Sequence, residues 1–369
     1  MFSKVYRFLR GMDGIFLLCV FLLVLFGFLA IYSVALSQQN TEFFLLKKQL
    51  LAFSLGFLFL LFFFQTDYRF LKGYHHIIYA ICILLLLAVL IFGQTIRGTK
   101  GWFELGNISF QPVEFAKMGF IIFFARFLAD RPLPLSFQDI LKSGFIVLFP
   151  TLLVLLQPDM GSALLFVGVW LFMLLFAGMR KRFIVLLLSI FIGISLFGWL
   201  FVLEDYQQAR LQTFFYPSQD PLGEGYNVSQ ALIAIGSGQW FGQGLGFGSQ
   251  NQLRFLPESQ TDFVFAVIAE ELGFVGVLVF FFIFFLFFIR ILQALYKTKD
   301  SFAQYLLFGI GSLFFLQFVV NIGMNLALLP VTGITLPFVS YGGSSLMVFL
   351  CLVGIIQSIM RQRSFGQNG

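Results

Sequence analysis

Long apolar runs follow one another along almost the whole chain. A membrane-spanning helix needs about 20 apolar residues, and only 11% of the 369 residues are charged, against roughly 25% in a soluble domain. The runs are continuous and lack the alternation of β-barrel strands. We therefore predict an all-α integral membrane protein with about ten transmembrane helices in a single domain, 1–369. The ten runs fall at 14–36, 49–64, 77–93, 112–128, 143–157, 160–178, 183–203, 263–290, 302–327 and 339–360.

The distribution of basic residues predicts the orientation of these spans. With the N-terminus inside, 16 Lys and Arg residues fall on the inner side and 6 on the outer side. By the positive-inside rule, both termini are then cytoplasmic. The net charge is +6, but the basic residues form no stripe and no stacking motif accompanies them. We therefore expect no nucleic-acid partner.

The connection between the seventh and eighth runs, about 204–261, differs from the others. It is polar and glycine-rich, and it far exceeds the usual connection of roughly 2–8 residues. This orientation predicts one large extracytoplasmic loop. Val228, Leu232 and Ile235 have helical spacing within 226–238, which predicts a short amphipathic helix on the membrane surface.

Charged residues near the ends of the runs are candidates for a functional site, because ionisable groups are costly in hydrocarbon. Glu114 and Lys117 are three apart and share a helix face. They form either a simple salt bridge or part of a site. Residues 272–290 already suffice to cross the bilayer, so Asp262 and Glu270 belong at or above the outer boundary. Asp262 could equally satisfy N–H groups at a helix start.

Two further observations complete this set. Asp159 lies in a Gln-Pro-Asp-Met-Gly turn, where turn chemistry alone is an equal explanation. The glycines of 236–248 do not have dinucleotide-binding spacing, although a backbone nest for a lipid-linked phosphate stays open. All the candidates converge on the outer face, and one site there suits an amphiphile with an anionic head and a lipid tail. Its substrate-binding candidates are Lys117, Glu114, Arg210, Trp102, Asp159 and Glu270.

Several motifs along the chain resemble those of the SEDS family (shape, elongation, division and sporulation). The match covers nearly the whole chain and is closer to the elongation member than to the division member. It implies a ten-helix peptidoglycan glycosyltransferase of the bacterial cytoplasmic membrane. The motifs are Gln111-Pro-Val-Glu-Phe-Ala-Lys117, Gln157-Pro-Asp-Met-Gly161, Asp220-Pro-Leu-Gly-Glu-Gly-Tyr226, Ala234-Ile-Gly-Ser-Gly238, Phe255-Leu-Pro-Glu258, Thr261-Asp-Phe-Val-Phe-Ala-Val267 and Leu336-Pro-Phe-Val-Ser-Tyr-Gly-Gly-Ser-Ser345.

The resemblance also implies a role for Asp262, which matches the essential aspartate of the family. That carboxylate accepts the proton of the acceptor sugar's 4-hydroxyl in lipid II polymerisation, as undecaprenyl pyrophosphate leaves. Arg210 and Lys117 are the candidate cations for the pyrophosphate. Gln260 stands where the family commonly has His, which argues against a mechanism that needs an imidazole beside Asp262.

The resemblance implies lipid II as substrate, a class B penicillin-binding protein transpeptidase as partner, and other membrane proteins of the elongation complex. No cofactor is expected with certainty, and a divalent cation stays open. Two alternatives remain. A lipid II flippase or another amphiphile transporter would fit the proline-interrupted segments near Pro330 and Pro337. A structural scaffold would need no single outer carboxylate.

Overall fold

The computed structural model describes residues 11–37, 43–96, 98–106, 108–201, 224–253, 255–256 and 258–366. Helices make up most of this part, and each predicted apolar run overlaps one long helix. Seven of the described helices are long and apolar enough to cross a membrane. In chain order the helices are α1 (Gly14–Ser37), α2 (Phe44–Gln65), α3 (Arg69–Phe92), α4 (Pro112–Ala129), α5 (Phe137–Leu155), α6 (Met160–Phe176), α7 (Lys181–Phe201), α8 (Glu224–Ser237), α9 (Ser249–Gln252), α10 (Val264–Lys297), α11 (Ser301–Asn325) and α12 (Gly343–Gly366).

Phenylalanine rings fill the interior between the long helices. The ring of Phe287 on α10 lies 5.1 Å from that of Phe16 on α1 and 5.4 Å from that of Phe314 on α11. It also lies 5.6 Å from the ring of Phe338 in the α11–α12 connection. Lipid does not reward burial of apolar surface, so close packing of such rings has to hold the helices together.

A small antiparallel sheet departs from the all-helical expectation. Its strands are β1 (Gln94–Ile96), β2 (Thr99–Leu105) and β3 (Ile108–Phe110), in the order β1-β2-β3. The sheet joins α3 to α4. Strands this short carry little sequence signal of their own, because pairing with neighbours and not local propensity stabilises them.

The chain makes a sharp break inside α10. Gly273 has φ 65° and ψ −167°, a conformation that favours glycine. Backbone N–H groups of Phe274 and Val275 donate to the carbonyls of Gln239 and Trp240, at 2.8 and 3.1 Å. The span that the sequence predicted from residue 272 onward agrees with this break. Asp262 lies before α10, in a turn, and Glu270 lies within the helix.

The glycine-rich segment 236–248 packs its backbone against the first part of α10. The N–H groups of Gln243 and Gly244 donate to the carbonyls of Glu270 and Glu271, each at 3.0 Å. At Gly242, with φ +79°, a Cβ would lie 2.1 Å from the Glu271 carbonyl oxygen. These glycines therefore have a packing role, which the sequence analysis did not include.

The predicted short helix of the large loop is present as α8. Its buried face is formed by Ala231 and Ala234, which pack in a cluster that contains Phe263. Leu232, by contrast, is exposed. The prediction of a helix was therefore right. Of its predicted apolar residues, Ile235 packs against the same cluster, whereas the position of Leu232 is outside it. Residues 202–223 of the same loop, which include Arg210, lie outside the described residues.

The two ends of the helix bundle differ in their polar contacts. We call the end at which α4, α6, α10 and α12 begin the site end. At the opposite end, Arg290 of α10 forms an ion pair with Asp13 before α1. The side-chain amide of Gln357 on α12 pairs with the backbone N–H and carbonyl of Asp13, at 3.0 and 3.1 Å. These contacts join α1, α10 and α12 away from the candidate site.

Candidate active site

Asp262 lies in a tight turn at the site end, just before α10. The backbone N–H groups of Thr261, Asp262 and Phe263 all point to the carbonyl of Glu258, at 3.1, 3.2 and 3.3 Å. Asp262 is partly exposed. The N-cap residue of α10 is Phe263, which makes no side-chain cap. The turn therefore presents the carboxylate at the end of the bundle, outside the first helical turn.

Three consecutive backbone carbonyls of this turn accept hydrogen bonds from other parts of the chain. The carbonyl of Gln260 accepts from the backbone N–H of Tyr341 at 2.8 Å. That of Thr261 accepts from the Ser340 hydroxyl at 2.6 Å. The α11–α12 connection, 326–342, thus fixes the backbone that carries Asp262. Because the Ser340 hydroxyl also accepts from the N–H of Leu336 at 2.9 Å, it couples the turn to a second point of that connection.

The third carbonyl, that of Asp262 itself, accepts from two side-chain amides of α11. Asn321 Nδ2 lies 3.1 Å away and Asn325 Nδ2 2.9 Å away. Both asparagines are fully buried. Neither residue was among the candidates drawn from the sequence. The signal was available, because Gln317, Asn321 and Asn325 recur every four residues in an otherwise apolar run, and buried polar groups in a spanning helix are functional candidates.

The wall opposite the Asp262 carboxylate is Gly333. Its φ is +70°, and a Cβ there would lie 3.9 Å from Oδ2 of Asp262. The neighbouring Thr332 packs on the start of α6, since a Cβ at Gly161 would lie 2.4 Å from the Thr332 carbonyl oxygen. This contact brings the turn that carries Asp159 up to the same connection. Asp159 Oδ1 accepts from the N–H of Ser162 at 2.9 Å, so this carboxylate caps α6.

Glu114 and Lys117 form a buried ion pair in the first turns of α4. Lys117 Nζ lies 2.7 Å from Glu114 Oε1, and both residues are buried. The other oxygen, Oε2 of Glu114, has no hydrogen-bond partner in the described part of the chain. The Gln111 N–H, just before α4, donates to the Ser344 hydroxyl at 3.0 Å. This bond ties the start of α4 to the start of α12.

Trp102 lies on β2 and is half-buried. Two residues earlier, the backbone N–H of Lys100 donates to the carbonyl of Gln157 at 3.2 Å. A Cβ at Gly101 would lie 3.3 Å from Oε1 of Gln157. The strand therefore lies against the turn that leads to Asp159.

Glu270 has a different environment from the other candidates. It is fully buried, and its Oε1 accepts from the N–H of Gln250 at 2.9 Å and from the Ser249 hydroxyl at 3.2 Å. A Cβ at Gly248 would lie 2.7 Å from its Oε2. Glu271 beside it accepts from the Ser33 hydroxyl of α1. The described contacts of Glu270 are thus with the loop around α9.

No group of three or more His, Cys, Asp or Glu that could hold a metal ion occurs within the described residues. The site end instead brings together a partly exposed carboxylate, a buried ion pair and an aromatic strand. Carboxylate chemistry with nearby cationic and aromatic groups is what this arrangement offers.

Comparison with known proteins relates these features to a family. The family described as "Cell cycle protein", of FtsW, RodA and SpoVE, matches residues 13–365. The chain belongs to this family. The peptidoglycan glycosyltransferase MrdB of Escherichia coli K12 is 37% identical over 355 residues, which are 95% of this chain and 94% of that protein. A probable peptidoglycan glycosyltransferase FtsW of a Geobacter species is 36% identical over 372 residues, 96% of this chain and 98% of that protein.

A solved structure agrees with this assignment. It is described as "Structural coordination of polymerization and crosslinking by a peptidoglycan synthase complex", with a TM-score of 0.81 and 30% identity. The similarity covers 95% of this chain and 98% of that chain. The family that the sequence motifs indicated is therefore confirmed. Relatives named MrdB and relatives named FtsW both match over almost the whole chain.

Proposed function

We propose that the protein polymerises lipid II into glycan strands on the outer face of the bacterial cytoplasmic membrane during cell elongation. Its relatives are named peptidoglycan glycosyltransferases, and family membership makes this protein a peptidoglycan glycosyltransferase as well. The observation that carries the finer proposal is the partly exposed Asp262 on a turn held through its own backbone carbonyls. A carboxylate presented in this way has the geometry of a general base.

In the proposed reaction, Asp262 takes the proton of the acceptor sugar's 4-hydroxyl. The hydroxyl oxygen then forms a bond to the anomeric carbon of the donor. The bond from that carbon to the pyrophosphate breaks, and undecaprenyl pyrophosphate leaves with the electron pair. The space left by Gly333, opposite Oδ2 of Asp262, is where we propose that the acceptor hydroxyl approaches.

The leaving pyrophosphate carries negative charge that cations must offset. Arg210 and Lys117 are the proposed groups. Lys117 already pairs with Glu114, but an ammonium has three donors and keeps two for a phosphate oxygen. Trp102 and Asp159 lie on segments that contact each other through Gln157, and we propose that they line the substrate path. The contacts of Glu270 support a positioning role for that residue instead of the direct substrate contact expected from the sequence.

For the membrane arrangement we propose ten spans, both termini in the cytoplasm and the site end outside. The excess of basic residues on one side, 16 against 6, supports this orientation. A reporter fused after Gly223 should then read extracytoplasmic, and one fused after Lys181 should read cytoplasmic. The reverse pattern would put Asp262 on the side without lipid-linked acceptor strands and would contradict the proposal.

We propose a class B penicillin-binding protein transpeptidase as partner, together with other membrane proteins of the elongation complex. The similar solved structure is described as a peptidoglycan synthase complex that coordinates polymerisation and crosslinking. That description is of the neighbour, and it motivates co-purification of this protein with such a transpeptidase. Recovery of the pair at a fixed stoichiometry after gel filtration is the expected result.

The central experiment is polymer formation from labelled lipid II by purified protein, with gel separation of the glycan strands. The transporter alternative predicts movement of labelled lipid II between the leaflets of proteoliposomes without any polymer. A scaffold predicts neither. Against the transporter, the described carboxylates of the candidate site lie at one end of the bundle, whereas carriers bind their substrates near the midplane.

A further inference from the structure

We propose that Asn321 and Asn325 of α11 are positioning residues for Asp262. We call them the amide pair. The inference rests on the proposed function, because it assigns a task to residues that support the proposed base. Each of the two side chains joins the Asp262 turn to a second structural element, and together they set the orientation from which the carboxylate meets its substrate.

Asn321 connects the two walls of the site. Its Nδ2 donates to the carbonyl of Asp262 at 3.1 Å and to the carbonyl of Ile334 at 2.8 Å. Ile334 follows Gly333, the residue that faces Oδ2 of Asp262. One amide therefore sets the separation between the backbone that carries the carboxylate and the backbone opposite it.

Asn325 connects the same turn to the start of α10. Its Nδ2 donates to the Asp262 carbonyl at 2.9 Å and to the Asn321 carbonyl at 2.8 Å. Its Oδ1 accepts from the N–H of Ala266 at 3.2 Å. The first-turn N–H that a cap would ordinarily bind is thus held by α11. The turn before α10 cannot rotate relative to α11 without breaking these bonds.

An amide suits this task because it both donates and accepts without carrying a charge. Both side chains are fully buried, and a buried polar group is costly unless it is hydrogen-bonded. The direct gain from asparagine is the fixed position of Asp262, and small displacements of a reacting group cost rate steeply.

The test is the Asn321→Leu variant of the full-length protein, purified and assayed with lipid II. We expect kcat to fall about 10- to 100-fold, because the base is displaced. KM for lipid II should stay within about threefold of wild type, because the substrate contacts remain. The melting temperature, measured on the same preparation, should fall, because the Ile334 carbonyl loses its buried donor. Both kinetic constants are therefore compared well below the melting transition of the variant.

Gln317→Leu is the matched control. Gln317 is a buried amide one turn away on the same helix, and its Oε1 has no partner in the described part of the chain. It should retain the wild-type kcat. If Asn321→Leu keeps kcat within about threefold, or if both variants lose activity equally, the inference is wrong. If Asn321→Leu gives no folded protein, Asn321→Ser, which keeps a shorter donor, is judged by the same criteria.

The outcome for the amide pair is separable from that for the proposed function. A fully active Asp262→Asn variant would remove the proposed base and the inference with it. An inactive Asp262→Asn variant beside an Asn321→Leu variant of normal kcat would overturn the inference alone.

Discussion

The turn that carries Asp262 and the first turns of α4 both place a carboxylate at the site end, but in opposite ways. Glu114 is buried and ion-paired with Lys117 at 2.7 Å. Asp262 is partly exposed. Its backbone carbonyl accepts hydrogen bonds from the side chains of Asn321 and Asn325. In the first region the side chain is fixed by a partner of opposite charge. In the second the side chain is presented by a fixed backbone.

This difference separates structural from chemical use of the same functional group. The two charges of a buried ion pair compensate each other. Loss of one partner leaves the other charge buried without compensation. A carboxylate that is partly exposed on a rigid turn can reach the proton of a substrate hydroxyl. We therefore expect substitutions at Asp262 to lower the rate at unchanged stability, and substitutions at Glu114 and Lys117 to lower stability. Loss of Lys117 should lower the rate as well, because it is a proposed cation for the pyrophosphate.

The largest expected effect is that of Asp262→Asn on polymerisation. Asparagine keeps the shape and the backbone contacts but cannot take a proton, so the rate should fall about 10²- to 10⁴-fold. Turnover of lipid II and the melting temperature should be measured on one preparation. Stability should be unchanged, because the described hydrogen bonds to Asp262 from the amide pair go to its carbonyl.

Asp300→Asn is the matched control for this substitution. Asp300 is the N-cap of α11 and accepts from the Ala303 N–H at 3.2 Å, and asparagine caps helices equally well. This variant should polymerise at the wild-type rate. Activity of Asp262→Asn within about threefold of wild type would mean that this turn, too, serves only structure.

A second effect concerns the ion pair of α4. Glu114→Gln or Lys117→Met alone should destabilise the protein by about 3–5 kcal/mol, because each leaves a buried charge unpaired. The double variant should cost less than the sum of the two. Denaturation of the purified single and double variants gives the coupling.

The exposed pair on the same helix is the control for that cycle. Arg126 and Asp130 lie 2.8 Å apart at the other end of α4, and Arg126→Met should cost less than about 1 kcal/mol. Simple additivity of the Glu114 and Lys117 effects would show that the two side chains are not coupled. The proposed contrast between a paired Glu114 and a backbone-held Asp262 would then be wrong.

Much of the helical architecture follows from the sequence, because hydrocarbon forces backbone hydrogen bonds to be made within each span. The length needed to cross the bilayer gave the boundary near residue 272, where the structure breaks α10 at Gly273. The sheet at 94–110 was missed because its pairing depends on neighbouring strands. The local sequence does not specify which strands pair with each other.

The candidate site was only partly predictable, for a related reason. A charged residue in an apolar chain can be identified from the sequence, as Asp262, Glu114 and Lys117 were. Asn321 and Asn325 are small and uncharged within an apolar run, and their importance depends on contacts with residues about 60 positions away. The burial of Glu270 likewise depends on a loop 20 residues earlier, so a charge count could not separate it from a substrate contact.

A third, smaller effect concerns the glycine-rich segment that packs on the start of α10. Gly242→Ala should destabilise the protein by about 2 kcal/mol, since φ is +79° and the added Cβ would meet the Glu271 carbonyl at 2.1 Å. Gly236→Ala is the control, with no atom within 4 Å of its added Cβ, and it should be neutral or stabilising. Equal melting temperatures for both variants would mean that the segment does not support the α10 break.

The smallest expected effect is that of Glu270→Gln, and it decides to which region Glu270 belongs. Glutamine keeps an acceptor for the N–H of Gln250 and the hydroxyl of Ser249, so stability should change by less than about 0.5 kcal/mol. Glu270→Ala removes that acceptor and leaves buried donors unpaired, at about 1–3 kcal/mol. Polymerisation by Glu270→Gln should stay within about threefold of wild type. A stable Glu270→Gln variant that loses its activity would instead require the negative charge at this position, as a substrate contact would, and Glu270 would then join Asp262 among the residues that act in the chemistry.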